Sequence, residues 1–135
     1  MTDTFKKVGP YAFVYKKEDG DDPRMWCDGI AAMVAECHQI AREHGWWDAP
    51  RSDGDLIALM HSELSEALEY LRSPEGLAAP SDHLPGVPGV AEEMADVLIR
   101  VFDFCGERGI DLSRALRDKI EFNRGRPYRH GGKRM

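Results

Sequence analysis

An all-α domain is the fold that this 135-residue chain predicts, and three observations predict it. Apolar side chains recur at intervals of three and four through four separate stretches, the period of helices that bury one face. Glycine, proline and Asp/Ser groups fall between those stretches rather than through them. No strand-like alternation of any length appears alongside them. The fold class expected is a four-helix bundle-like domain over residues 24–135, preceded by an N-terminal arm over residues 1–23.

In the arm, the apolar patch Tyr11-Ala-Phe-Val-Tyr15 between Lys-rich flanks and an Asp-rich turn suits a short strand or a docking segment. From Arg24 to His44, the residues Trp26, Ile30, Met33, Cys37 and Ile40 form one helical row, and Gly45 is placed to end it. Pro50 and Ser52-Asp-Gly-Asp55 make a break with an N-cap candidate. A second helix then follows over about 53–72, with Leu56, Met60, Leu64, Ala67 and Leu71 in its row. Between Ser73 and Gly89 the prolines and glycines are too dense for a helix, so a loop is predicted. Val90, Met94, Val97, Val101 and Phe104 give a third helix from Val90 to about Glu107, closed by Gly106 with Gly109. Asp111 caps a fourth, which carries Leu112, Leu116 and Ile120 to Asn123 before Gly125 and Pro127 stop it.

Composition narrows the function. With 42% apolar and 31% charged residues the chain fits one soluble domain, and its length allows roughly two-thirds of the unfolded surface to be buried without crosslinks. Cys27, Cys37 and Cys105 are odd in number and never form Cys-x-x-Cys, which fits neither a zinc knuckle nor a disulfide framework and makes a reducing cytoplasm the expected location. No apolar run approaches the roughly 18 residues of a membrane span, and no signal-peptide core opens the chain. The net charge of −6 argues against a binder of polymeric nucleic acid. That average hides an asymmetry: from Arg117 onward seven basic residues face two acidic ones, a balance of +5, which leaves −11 on the rest. An acidic body with a basic tail suits a phosphate-rich small molecule met by metal on one side and cations on the other.

The informative chemistry is a pair of acidic motifs. Glu63 and Glu66 on the second helix, and Glu93 and Asp96 on the third, are each three residues apart, which sets both carboxylates of a pair on one face. Glu63 lies between Met60 and Ala67 in its apolar row, and Glu93 between Val90 and Val97 in its own, so neither reads as a surface charge. Two like charges 4 Å apart repel by about 4 kcal/mol at an effective dielectric near 20, so carboxylates facing one another across packed helices need a counterion. Oxygen-only ligands favour a hard divalent cation, Mg²⁺ in particular, which bridges carboxylates to a phosphate chain. A ferritin-like di-iron site would ask for Glu-x-x-His on two helices, and no histidine here has Glu three residues before it.

The stretches Ala58-Leu-Met-His-Ser-Glu-Leu-Ser-Glu-Ala-Leu-Glu69, Glu93-Met-Ala-Asp-Val-Leu-Ile-Arg100, Lys119-Ile-Glu-Phe-Asn123 and Arg126-Pro-Tyr-Arg-His-Gly-Gly-Lys133 resemble, in order and spacing, the MazG-like branch of the all-α nucleoside triphosphate pyrophosphohydrolases. The resemblance covers roughly Arg24 to the C-terminus. It implies a Mg²⁺-dependent enzyme that cleaves nucleoside triphosphates to monophosphate and pyrophosphate, and that assembles as a homodimer or homotetramer. It puts Glu63, Glu66, Glu93 and Asp96 on the family's metal ligands, and Lys119 with Asn123 on its Lys-x-x-x-Asn signature. Ser62 stands where the family's Glu-Glu-x-x-Glu has its first Glu, a departure that bears on the number of metal ions.

Cleavage between the α and β phosphorus atoms needs charge neutralisation on the leaving pyrophosphate and a deprotonated water in line with the bond. Glu63 or Glu66 is the expected general base. Lys119, Arg126, Arg129 and Lys133 are expected on the phosphates and Asn123 on sugar or phosphate; of Trp46 and Trp47, one is expected to stack on the base and the other to enter the core, with Trp47 counted among the substrate-binding residues. His38 and His61 are expected to be packing residues. Two alternatives remain at this point: a non-catalytic helical module that senses nucleotide or metal, and a phosphoribosyl-ATP pyrophosphohydrolase.

Overall fold

The computed structural model describes residues 23–127, together with two short strands ahead of them, Phe5–Lys7 (β1) and Phe13–Tyr15 (β2). β1 and β2 pair antiparallel with Lys6 opposite Val14, so a strand does fall on the apolar patch of the arm. The body is all-helical. Its elements are α1 (Pro23–Glu43), α2 (Asp53–Arg72), a single 3-10 turn at Gly76–Ala78, α3 (Gly89–Arg108) and α4 (Leu112–Arg124).

The helix boundaries follow from local chemistry. The Ser52 hydroxyl accepts the Asp55 backbone N–H at 3.1 Å and the Asp111 carboxylate accepts that of Arg114 at 3.0 Å, so both expected N-caps are made. Gly45 follows α1 and Gly109 ends α3 with positive φ, 77° and 63°. Gly106 plays a different part from the one its residue type predicts, because it lies inside α3. A Cβ there would come within 2.5 Å of the His38 Cβ, so glycine is what lets α1 pack this closely on α3.

α3 is the shared element, packed against α2 on one side and α1 on another, while α4 packs on α1. The apolar rows predicted for the first three helices are only half right. On α1, Cys37 is buried and Ile30 half-buried, but Trp26, Met33 and Ile40 are exposed; on α2, Leu56 and Ala67 are buried, but Leu64 and Leu71 are exposed. Met94 on α3 is exposed as well. The inward faces are narrower than the apolar stripes, since the described helices leave part of each stripe without a neighbour, and no large side chain of the described residues is fully buried.

The loop between α2 and α3 is folded back on itself. Gly89 donates its N–H to the Ala79 carbonyl at 2.8 Å and Ser81 to that of Val87 at 2.9 Å, which brings the loop's two ends together. The start of α3 is thereby fixed against α2. Among the described residues no helix is long and apolar enough to cross a membrane.

Candidate metal centre

Glu63 on α2 and Glu93 on α3 occupy inward positions of their helices and are 5% and 7% exposed. Glu66, one turn after Glu63, is exposed. Each of the three places a carboxylate oxygen within 4.8 Å of the others, so α2 and α3 bring together three of the four residues expected as ligands. Asp96, half-buried one turn after Glu93, stands beside this triad rather than within it.

The electrostatics are those of crowded acids. Burial pushes the Glu93 carboxyl from an ordinary value of 4.5 up to about 7, aided by the charges of Glu66, Glu63 and Asp96 and by a hydrogen bond with Glu63. Burial also raises Asp96, with the charges of Glu63 and Glu92 adding to it and Arg100 opposing it. A cluster held in this state takes up a proton or a cation readily. Three oxygen donors, two of them buried, match the donor set a hard divalent ion prefers. Glu66 gives the cluster a solvent-facing side by which an ion and its waters can enter.

Two neighbours have no site role in the sequence reading. Arg100, one turn beyond Asp96, directs Nε to Glu63 Oε1 at 2.5 Å, with a second guanidinium nitrogen on the same oxygen. Its place in the inward stripe four residues after Asp96 is a signal the sequence does carry. Glu92 is buried beside Glu93 but turned to the α2–α3 loop. It accepts from the Ser81 hydroxyl and pairs with His83 Nδ1 at 2.9 Å, and the Ser81 contact first, against burial, holds its carboxyl below the usual range. Ser62 donates its hydroxyl to the Leu59 carbonyl at 2.7 Å, back onto its own helix, so it adds nothing to the cluster.

The substrate-binding expectations fare differently. Lys119 and Asn123 are exposed on α4, which packs on α1, so this single chain does not bring them to the carboxylates between α2 and α3. Lys119 Nζ instead lies 4.7 Å from the centre of the Phe122 ring, and the Arg126 guanidinium carbon 5.5 Å from it. Arg129 and Lys133 lie outside the described residues.

Trp47 is half-buried and anchored: its indole N–H donates to Asp103 Oδ1 at 2.8 Å, the same oxygen that His38 Nδ1 meets at 2.8 Å. The Arg108 guanidinium sits 5.7 Å from the Trp47 ring centre and also pairs with Asp53 at 2.7 Å. His38 is thus a hydrogen-bonded packing residue, as expected. Of the two tryptophans it is Trp47 that is half-buried, while Trp46 is 56% exposed. Trp47 does border a cleft of about 400 Å³ with Pro50, Arg51, Glu107 and Arg108, but that cleft shares no residue with the carboxylate triad.

The chain matches no known protein-family model, no curated protein and no solved structure.

Proposed function

We propose that this chain is a Mg²⁺-dependent nucleotide pyrophosphohydrolase that cleaves (d)NTP to (d)NMP and pyrophosphate and so clears particular nucleotides from the pool. The observation that carries the reading is the convergence of Glu63, Glu66 and Glu93 from two helices, two of them buried, at the positions matching the MazG-like acidic motifs. Carboxylates are costly to bury without a partner of opposite charge, and beside one guanidinium, Arg100 on Glu63, three of them in one place make sense as ligands. Glu63, Glu66 and Glu93 would hold the ion, with Asp96 adjacent to complete the set. Magnesium, when bound, supplies neutralisation of the leaving pyrophosphate and a more acidic water.

Between the two residues expected as general base, Glu66 is the better placed. Glu63 is buried, whereas Glu66 is exposed and forms no ion pair with another described residue, so it faces the side from which water arrives.

The functional unit is proposed to be a homodimer or homotetramer in the cytoplasm. Trp26, Met33 and Ile40 recur every seven residues along α1, and Ile57, Leu64, Leu68 and Leu71 line α2; all are exposed. Apolar stripes of this length call for cover. A second copy would cover them and would also supply cations such as Lys119 that one chain does not bring to its own carboxylates.

The test is incubation of the protein with a panel of (d)NTPs and Mg²⁺, scored for pyrophosphate. Release from some of the panel, abolished in Glu93→Ala, supports the proposal. Tight nucleotide binding without turnover points instead to a sensor, and turnover of phosphoribosyl-ATP alone to that related hydrolase.

A further inference from the structure

We propose that Arg100 is a displaceable counterion of the carboxylate cluster: in the metal-free protein it neutralises Glu63, and a divalent cation gains Glu63 only by displacing its guanidinium. The inference rests on the metal-site reading above and concerns how that site is regulated.

Three observations carry it. Arg100 lies seven residues after Glu93 and four after Asp96, so all three side chains leave α3 along one stripe facing α2. Its Nε and a second nitrogen both converge on Oε1 of Glu63, which is among the most buried carboxylates of the described residues and belongs to the triad. The Arg100 side chain is 33% exposed, so the cation has a route to solvent that the Glu63 side chain, 6% exposed, does not have.

Charge makes the competition unavoidable. A guanidinium and a divalent ion both seek the same carboxylate, and a metal ligand cannot give its lone pairs to both at full strength. Breaking a partly buried charge-assisted hydrogen bond opposes metal binding, so Arg100 lowers the affinity of the bare cluster. A long arginine stem also lets the head swing outward while its methylenes stay packed. The arrangement keeps the acids compensated when no ion is present and leaves a free guanidinium beside the site when one is.

The test uses the full chain, stripped of metal, at about pH 8, because metal ligands must be deprotonated to bind. Mn²⁺ titrated calorimetrically into Arg100→Gln should bind about tenfold more tightly than to the unaltered protein, the effect of removing one charge-assisted hydrogen bond. Arg100→Lys keeps a charge but loses the fork, so it should fall between the two, and it serves alone if the Gln variant does not fold. Independently, the ¹⁵N-detected Nε–H resonance of Arg100 should shift or be lost to exchange when diamagnetic Mg²⁺ is added. Equal or weaker Mn²⁺ binding by both variants, or an Arg100 resonance unmoved at saturating Mg²⁺, overturns the inference while leaving the metal site standing. If the unaltered protein and both variants bind no Mn²⁺, the metal-site reading falls and this inference falls with it.

Discussion

Glu93 on α3 and Glu63 on α2 bring carboxylate oxygens within 4.8 Å of one another across the helix interface, close enough that a proton on one of the two relieves their repulsion. Glu93 is the one pushed up to about 7, so it holds that proton in mildly acidic solution. Its folded value lies above the unfolded one, so its contribution to stability is fully present below about 4.5 and is lost as the pH rises through about 7. Thermal unfolding of the metal-free protein should therefore show a midpoint that falls across this window. In Glu93→Gln the fall should be largely gone, because the amide has no proton to lose.

Added Mg²⁺ should reverse that loss. An ion that binds only the folded chain stabilises it by mass action, and the ligands must be deprotonated to bind. The Mg²⁺-induced rise in midpoint should accordingly be larger above the Glu93 transition than below it. The check is the same melt with and without chelator. A rise independent of pH would speak against Glu93 as a ligand.

Substituting Glu93 or Asp96 by Ala should lower turnover by at least about 100-fold, since losing even an outer partner of a metal ligand costs 10–100-fold in affinity or activity. The helical circular dichroism signal should remain, because neither residue caps a helix. Full activity in either variant contradicts the ligand assignment for that residue.

The Asp103 network is expected to matter for stability and not for metal. Asp103→Ala removes the acceptor for both Trp47 and His38 and should cost about 2–3 kcal/mol, whereas Trp47→Phe loses one hydrogen bond and should cost about 1 kcal/mol. A double-mutant cycle in denaturant should show coupling between them. Mn²⁺ affinity should be unchanged in both, as the network shares no residue with the triad.

Ser52→Ala removes the cap of α2 and should cost about 1 kcal/mol by urea unfolding, with the triad retained.

Much of this architecture is legible in the order of residues because the determinants are local. Ser52 and Asp111 act within one turn of their own helices, Gly109 ends α3 with positive φ, and the clustered prolines at 74, 80, 85 and 88 exclude a helix. Burial of Glu63 and Glu93 was also readable, since both interrupt apolar rows at inward positions. Which apolar residues face inward was not. Ile30 and Met33 are indistinguishable by period, and only the direction from which α3 approaches decides that one is half-buried and the other exposed.

Pairings between helices are likewise silent in the sequence. Arg100 with Glu63 spans 37 positions and Trp47 with Asp103 spans 56, so both depend on how the helices cross. Lys119 and Asn123 matched a motif, yet α4 keeps them on α1, away from the carboxylates of the same chain. A four-residue motif specifies a face of a helix and not what that face meets.

The most direct measurement is Mn²⁺ binding followed by electron paramagnetic resonance, as the loss of free-ion signal on titration into the metal-free full chain. The account predicts saturable binding that Mg²⁺ competes away and that disappears when Glu63, Glu66 and Glu93 are replaced together by Gln in a protein still helical by circular dichroism. A free-ion signal undiminished by the unaltered protein, or binding that survives in the triple variant, would contradict it.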